Sequence, residues 1–309
     1  MPLRALFAAL VFAVACARAV AADVVGYSEA FDTLYRVDLT TRTAQEIGRA
    51  TPLNAPRLPI IEGLTASPAG TLYAVADAPS AKTLLQINAT TGLATTIGTL
   101  ALTGGNVAGE LDIGLAFTCD GRLWMSSGTG LLWQVDPGTA AVTFIGNLGV
   151  KITGLAALGN VLYGTGSQGN NNLYRIDLSN AATTLVGAYG SNAAYVTTTS
   201  AAFDASGQLH AILDYVPPPN DNDPVADWSD LAVIDPASAA LSNAGPITAS
   251  GGSYEDLFQI GLKGLAFVPS ACAAAPPSTA TKLPSLSAWS MLLLGLLLLV
   301  LARGQFSRR

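Results

Sequence analysis

Two short phrases alternate along the middle of the chain and constrain its fold more than any other feature. The first is an apolar phrase that ends in an acid or amide and, after a turn, leads into a Thr-rich phrase closing on Gly. Its five copies begin at Leu34, Leu84, Leu132, Leu173 and Leu231. Apolar and polar residues alternate with period two within it, which predicts β-hairpins.

The second phrase is built of Gly and other small residues, and it begins at Gly63, Gly114, Gly154, Ser200 and Gly264. In the first four copies a tight turn follows, and then a strand begins at Leu72, Leu123, Leu162 and Leu209. Small residues suit the crowded innermost strand around an axis, where backbones approach closely. Four strands in about 40 to 60 residues are typical of a propeller blade.

Counting the phrases predicts how the ring closes. The repeats start in the middle of a unit, at 24–27. They end with a small-residue strand, 264–267, that is not followed by the other strands of its unit. Joining the two gives an all-β, five-bladed β-propeller closed by the N- and C-terminal strands, which removes free sheet edges. A degenerate blade in 188–199 or 246–263 would make six. With these phrases, residues 23–269 resemble the propeller repeats of exported bacterial proteins.

The N-terminal residues 1–22 have the pattern of a secretory signal peptide. Arg4 is followed by an apolar run over 5–16 and by the small-x-small sequence Ala19-Val20-Ala21. We therefore expect export and cleavage by signal peptidase. Lipid attachment at Cys16 is disfavoured because Ala13 stands where Leu is usual.

The C-terminal segment 283–309 has the pattern of a membrane anchor. A small, Pro-containing linker over 270–282 precedes an uncharged run over 283–302 and a basic end. A helix of that length spans about 30 Å, enough to cross a bilayer once. The arginines at its end favour a cytoplasmic C-terminus and an exported body.

The residues that open this segment resemble the IPTL-CTERM sorting domain, whose pattern is Ile-Pro-Thr-Leu-Ser-Glu-Trp-Gly before a hydrophobic helix and a basic end. Pro284, Leu286, Ser287 and Trp289 match it, whereas Leu283, Ser285, Ala288 and Ser290 depart from it. The resemblance implies a Gram-negative bacterium and an exosortase-type membrane protease. Its sorting residues here would be Leu283, Pro284, Ser285, Leu286, Ser287, Trp289, Arg308 and Arg309.

Composition narrows the possible partners. Without residues 1–22 and 303–309 the chain has ten Lys and Arg against 21 Asp and Glu, a formal charge of −11. Such a surface repels phosphate backbones, so we expect no nucleic-acid partner. The single histidine, His210, leaves little room for imidazole chemistry, and we interpret it as a half-buried strand residue. Cys119 and Cys272 could pair, but separate thiols are favoured because Cys272 lies past the last strand.

Loop lengths predict which face binds. Turns between the first and second strands of each blade, and between the third and fourth, are short. The connections between blades are long in four cases, and so is the loop over 216–230. Both kinds of long loop emerge on the same face of the propeller, where a change in loop sequence or length does not disturb the core. We name it the long-loop face, and the opposite one the short-turn face.

Acids cluster where inner strands begin on the long-loop face. Glu62, Glu110, Asp112, Glu255 and Asp256 lie near the mouth of the axial channel. They could bind a cation or act as acid and base, as in propeller lactonases and lyases. The favoured interpretation is that they accept hydrogen bonds from backbone amides.

The loop over 217–230 contains four carboxylates that could hold Ca²⁺: Asp221, Asp223, Asp227 and Asp230. It lacks the Gly and the terminal Glu of an EF-hand, so a solvated, Pro-stiffened loop is favoured. Trp228 is either a contact residue or a cap over this loop.

The sequence therefore predicts an exported propeller that binds a protein or glycan and needs no cofactor. It begins as a precursor in the inner membrane and then reaches the cell envelope or the exterior. The alternative is a metal-dependent hydrolase or lyase that uses the axial acids.

Overall fold

The computed structural model describes residues 25–51, 56, 58, 60–109, 111–166, 169–190, 196–215, 229–249 and 261–272. These residues form an all-β propeller of five blades, as the phrase count predicts. The sixth blade considered for 188–199 or 246–263 does not occur among the described residues. No helix in this part of the chain is long and apolar enough to span a membrane. The signal peptide, most of the linker and the sorting segment lie outside it.

Each blade is an antiparallel sheet whose strands follow one another outward from the axis. Blade 1 contains β4 (Ile61–Ala66), β5 (Leu72–Asp77), β6 (Lys82–Ile87) and β7 (Ala94–Leu100). Blade 2 contains β8 (Ile113–Phe117), β9 (Leu123–Ser127), β10 (Leu131–Val135) and β11 (Val142–Asn147). Blade 3 contains β12 (Ile152–Leu158), β13 (Val161–Gly166), β14 (Asn172–Ile176) and β15 (Thr183–Ala188). Blade 4 contains β16 (Val196–Phe203), β17 (Leu209–Tyr215), β18 (Ser229–Ile234) and β19 (Leu241–Pro246).

Blade 5 is assembled from both ends of the chain. Its inner strand β21 (Lys263–Phe267) pairs with β1 (Val25–Ala30), and β2 (Thr33–Asp38) and β3 (Thr43–Arg49) follow outward. Gly26 lies opposite Phe267, and Tyr27 opposite Ala266, so the predicted closure is confirmed. The short strand β20 (Thr248–Ala249) adds in parallel to β3 and covers part of that outer edge.

The axis is crowded, as the small residues of the inner strands predict. A Cβ atom added to Gly114 would lie 2.9 Å from the backbone nitrogen of Leu155 in blade 3. One added to Gly63 would lie 2.9 Å from the carbonyl oxygen of Ile113 in blade 2. Larger residues there would hold the blades apart, and the ring could not close at this radius.

A second ring of contacts joins the blades at their outer edge. The Gly that closes each outer strand faces the last hairpin turn of the next blade. A Cβ on Gly98 would lie 3.1 Å from the Cβ of Ala140, and one on Gly146 would lie 2.9 Å from the carbonyl oxygen of Asn180. This contact explains why the Thr-rich phrase ends in Gly.

The acid or amide before each hairpin turn has a local structural role. The Asp38 carboxylate accepts hydrogen bonds from the N–H groups of Thr40 and Thr41 at 2.8 and 2.9 Å. Asn88 and Asp136 do the same in their own turns. These are Asx turns, so the acid or amide at the end of each phrase forms the turn that follows it.

A disulfide joins Cys119 to Cys272, so the expectation of separate thiols is wrong. Sequence order places Cys272 beyond the last strand, but β21 ends on the short-turn face near the axis. There Ser270, Ala271 and Cys272 lie beneath the inner strands, and Cys272 meets the turn of blade 2 that carries Cys119. Proximity in the ring, invisible in the sequence, makes the bond possible.

We expect the inner ring to tolerate no added methyl group at Gly114. Gly114→Ala should lower the free energy of unfolding by about 1 to 3 kcal/mol, because overpacking a dense contact forces the backbone to move. Gly138→Ala is the matched control, since its Cβ would meet nothing nearer than 3.4 Å in an exposed turn. Urea unfolding of both variants measures the difference, and equal stabilities would contradict the crowding argument.

Candidate functional site

The inner strands converge at the long-loop face, and their first residues form a ring around the axis. The position directly before the small-residue phrase is occupied by Glu62, Ile113, Thr153, Thr199 and Lys263 in successive blades. Two of the five are oppositely charged and lie in adjacent blades, 1 and 5. This ring is the candidate functional site.

Glu62 is buried at the start of β4, with a relative exposure of 6%. The N–H of Ile113, in the neighbouring blade, donates to its Oε2 atom at 2.8 Å. Burial raises the pKa of Glu62 to about 8, and Asp112 and Asp77 add to the effect, whereas Lys263 and the Ile113 N–H oppose it. Burial thus shifts the pKa of Glu62 upward, toward neutrality, against the pull of Lys263.

Lys263 supplies the positive charge of the ring. Its Nζ lies 3.7 Å from Oδ2 of Asp214, which projects from β17. Burial opposes its charge, but Asp214, Glu62 and Asp112 together raise the pKa of Lys263. It therefore stays charged at neutral pH and attracts the carboxylates around it.

The remaining polar members of the ring join neighbouring inner strands. The Thr199 N–H donates to Thr153 Oγ1 at 3.1 Å, and the Gly264 N–H donates to Ser200 Oγ at 2.8 Å. Ser28 Oγ donates to the Gly264 carbonyl at 2.6 Å. Inner strands of different blades share no backbone ladder, so side chains of the neighbouring blades satisfy these amides.

Asp77 and Lys82 of blade 1 hold the backbone of the chain segment that leads to the site. They form an ion pair in which both side chains are buried. Lys82 also donates to the carbonyls of Ala78 and Gly109, and Asp77 accepts from the Leu111 N–H. The pair thus fixes the chain that leads to Asp112.

A small cavity of about 10 Å³ opens between these groups. Its polar lining comes from Glu62, Asp112, Thr153, Ser200 and Lys263. At the opposite end of the axis a second cavity is lined mostly by Ala, Leu and Phe of the inner strands, with residues 270–272 beneath it. The charged groups therefore belong to the long-loop end.

The structure brings Glu62 and Asp112 to one cavity, as their positions in the sequence suggest. Glu110, Glu255, Asp256 and Trp228 lie outside the described residues. So do Asp221, Asp223 and Asp227 of the calcium hypothesis, whereas Asp230 is half-buried on β18. Among the described residues no group of three or more His, Cys, Asp or Glu could hold a metal ion.

Sequence reasoning missed Lys263 and the two threonines. The signal was available, because aligning the repeats on Gly63 and Gly264 puts Glu62 and Lys263 in one column. A charge pair in equivalent positions of adjacent blades predicts proximity in any closed ring. The Asp77–Lys82 pair lacks such a signal, since its burial depends on a long loop packing over it.

His210 occupies a structural slot between blades 4 and 5. Tyr73 and Tyr163 hold the same position in their blades, and each packs against a Phe of the next inner strand at 5.2 and 5.4 Å between ring centroids. His210 packs against Phe267 in the same way at 5.3 Å, and its Nε2 lies 3.0 Å from Oδ2 of Asp204. The structure therefore places it in a strand, but buried rather than half-buried.

Comparison with solved structures gives β-propellers at low identity. Regucalcin, a calcium-binding protein from Agrobacterium tumefaciens, is 13% identical over 67% of this chain and 70% of its own, with a TM-score of 0.42. A protein assigned as a gluconolactonase is 16% identical over 76% of this chain and 84% of its own, with a TM-score of 0.44. A protein of unknown function from Bacteroides thetaiotaomicron is 15% identical over 60% of this chain, with a TM-score of 0.43. That match spans about half of its length, 52%.

Comparison with curated proteins gives no match. Residues 67–208 match the family described as a repeat of unknown function, DUF6923. This range runs from the first turn of blade 1 through blades 2 and 3 to the first turn of blade 4. The match to this repeat family thus covers part of a five-bladed propeller fold.

Proposed function

We propose that this chain is an exported propeller that acts outside the cytoplasm as a binding or structural module. The observation that carries the proposal is the Cys119–Cys272 disulfide. Structural disulfides persist in oxidising compartments such as the periplasm and the cell exterior, and they are rare in the cytosol. The signal-like residues 1–22 support the same route.

The long-loop face is the proposed binding surface. Both ends of the described body lie on the short-turn face, because β21 ends there and β1 begins there. Neither end of the described body therefore lies on the long-loop face. Its axial cavity of about 10 Å³ has room for about one water molecule, far less than the roughly 300 to 1,000 Å³ usual for small-molecule pockets. These features favour a protein or glycan partner that spans several loops.

The C-terminal segment is proposed to deliver this body to the envelope. Its Pro284, Leu286, Ser287 and Trp289 match the sorting pattern, and an apolar run and arginines follow. In this proposal the segment holds the precursor in the inner membrane. An exosortase-type protease then cuts near the motif, and the body reaches the envelope or the exterior.

We expect the combined substitutions Pro284→Ala and Trp289→Ala to leave the body in the inner membrane of a Gram-negative host that has such a protease. Fractionation and immunoblotting measure its position and size. Ser290→Ala is the matched control, because residue 290 already departs from the motif, and it should behave as wild type. An unchanged distribution of the double variant would mean that the segment is a plain anchor. Wild-type protein found in the cytoplasm would overturn export itself.

A second candidate function, an acid–base hydrolase or lyase, is favoured by one observation. Glu62 is a buried carboxyl group whose pKa of about 8 lies near neutrality, and it lines a cavity beside Lys263. Groups poised in this way are common at catalytic sites. Two measurements test its premises, the protonation of Glu62 and the presence of a metal.

The pH dependence of stability tests whether Glu62 is protonated. The folded state keeps the Glu62 proton to about pH 8, whereas the unfolded chain loses it near its ordinary pKa. Wild-type stability should therefore fall by more than about 1 kcal/mol between about pH 5 and pH 9. Glu62→Gln should reduce that fall, because an amide mimics the protonated acid. Glu46→Gln on β3 is the control and should keep the wild-type slope, and equal slopes for all three proteins would contradict the protonation of Glu62.

The change in Tm on adding Ca²⁺ tests whether the protein binds a metal ion. If the chain is a binding module without a cofactor, adding Ca²⁺ to metal-stripped protein should leave its Tm within about 1 °C. Saturation of a real site at a hundred times its Kd adds about 2.7 kcal/mol, a shift of several degrees. Mg²⁺ at the same ionic strength controls for screening. A Ca²⁺-specific rise would favour the metal-dependent hydrolase instead.

A further inference from the structure

We propose that residues 268–272 form a clamp that passes tension from the C-terminal segment into blade 2 and so prevents β21 from being withdrawn from the ring. The inference rests on the proposed function in one respect, that the segment after residue 272 holds the body to the envelope. It gives the disulfide a role that depends on the direction of pulling, beyond general stabilisation.

The strand that such tension reaches first is the closing strand of the ring. β21 is five residues long, and within its sheet it pairs only with β1, with a register shift between Tyr27 and Glu29. It is joined to the rest of blade 5 by no turn, because the remainder of that blade comes from the other end of the chain. A pull on its C-terminal end would act on these few hydrogen bonds, each of which contributes only modestly to stability.

Withdrawal of β21 would also destroy the axial site. Lys263 is its first residue and lies 3.7 Å from Asp214. The Gly264 N–H donates to Ser200 Oγ of blade 4, and the Gly264 carbonyl accepts from Ser28 Oγ of blade 5. Leu265, Ala266 and Phe267 are buried in the core. A short strand thus carries contacts on which ring closure and the candidate site both depend.

The clamp is attached to the ring in blade 2, away from β21 and from the blade to which β21 belongs. Cys272 is bonded to Cys119, which lies in the first turn of blade 2, two blades away from blade 5 around the ring. That turn is tied to blade 3, because the Cys119 N–H donates to the Gly159 carbonyl at 2.9 Å. The Asp120 N–H donates to Asn160 Oδ1 at 3.1 Å. Load that enters at Cys272 is therefore passed through the disulfide to two blades.

The residues between β21 and Cys272 contact other blades as well. Ser270 Oγ donates to the Ser67 carbonyl of blade 1 at 3.5 Å. Ala271 packs against the core cluster that contains Phe203 of blade 4. The segment crosses the lower mouth of the axis, where inner strands of all five blades line the cavity above it.

An unfoldase that pulls from one chosen end tests the clamp. The detergent-solubilised chain is given a degradation tag at its C-terminus or, in a second version, at its N-terminus, and an ATP-dependent protease removes the body. With the C-terminal tag, the oxidised wild type should be degraded at least about tenfold more slowly than Cys119→Ser/Cys272→Ser, a barrier difference of about 1.4 kcal/mol. With the N-terminal tag the two should differ by less than about threefold, because β1 is not clamped.

The direction of pulling separates a clamp from general stabilisation. Equal slowing with both tags, or no slowing with the C-terminal tag, would overturn the proposal. Should the double variant fold poorly, wild type reduced by a phosphine replaces it, since Cys119 is exposed. Both results are independent of the fractionation experiment, so failure of the clamp and failure of sorting are distinguishable.

Discussion

The whole structure depends on how closely five inner strands can approach one axis. A Cβ atom on Gly114 would come within 2.9 Å of the backbone nitrogen of Leu155, which belongs to the neighbouring blade. Close packing of this kind allows no compensating movement, because every blade is held by two neighbours. The outer glycines repeat the arrangement against the hairpin turns. Two rings of small residues therefore set the radius at which the blades meet.

The same closeness produces the chemistry of the axial site. Amides at the start of the inner strands have no ladder partner across the gap between blades, so polar side chains must satisfy them. Glu62, Thr153 and Ser200 do so for Ile113, Thr199 and Gly264. Burial then raises the pKa of Glu62, and the carboxylates around Lys263 raise the pKa of Lys263. A polar centre follows from closure, whether or not it binds a ligand.

Closure by strands from opposite ends of the chain has a further consequence for the faces. β21 ends and β1 begins on the short-turn face, and the disulfide holds residue 272 beneath the axis there. The long-loop face contains neither end of the described body. In our proposal this division lets one face serve attachment and the other binding.

The sequence by itself predicted the strand pattern, because period-two phrases and tight turns are local signals. Counting those phrases predicted five blades, with six as the alternative, and the joining of β21 to β1. The sequence also indicated that Glu62 and Asp112 lie near the axis. Only the tertiary structure decided that Lys263 is in the ring with Glu62, that Asp77 and Lys82 are buried, and that Cys119 meets Cys272 across 153 residues of sequence. The physical reason is that a repeat specifies what each blade contains, whereas contacts between blades depend on the radius at which the ring closes.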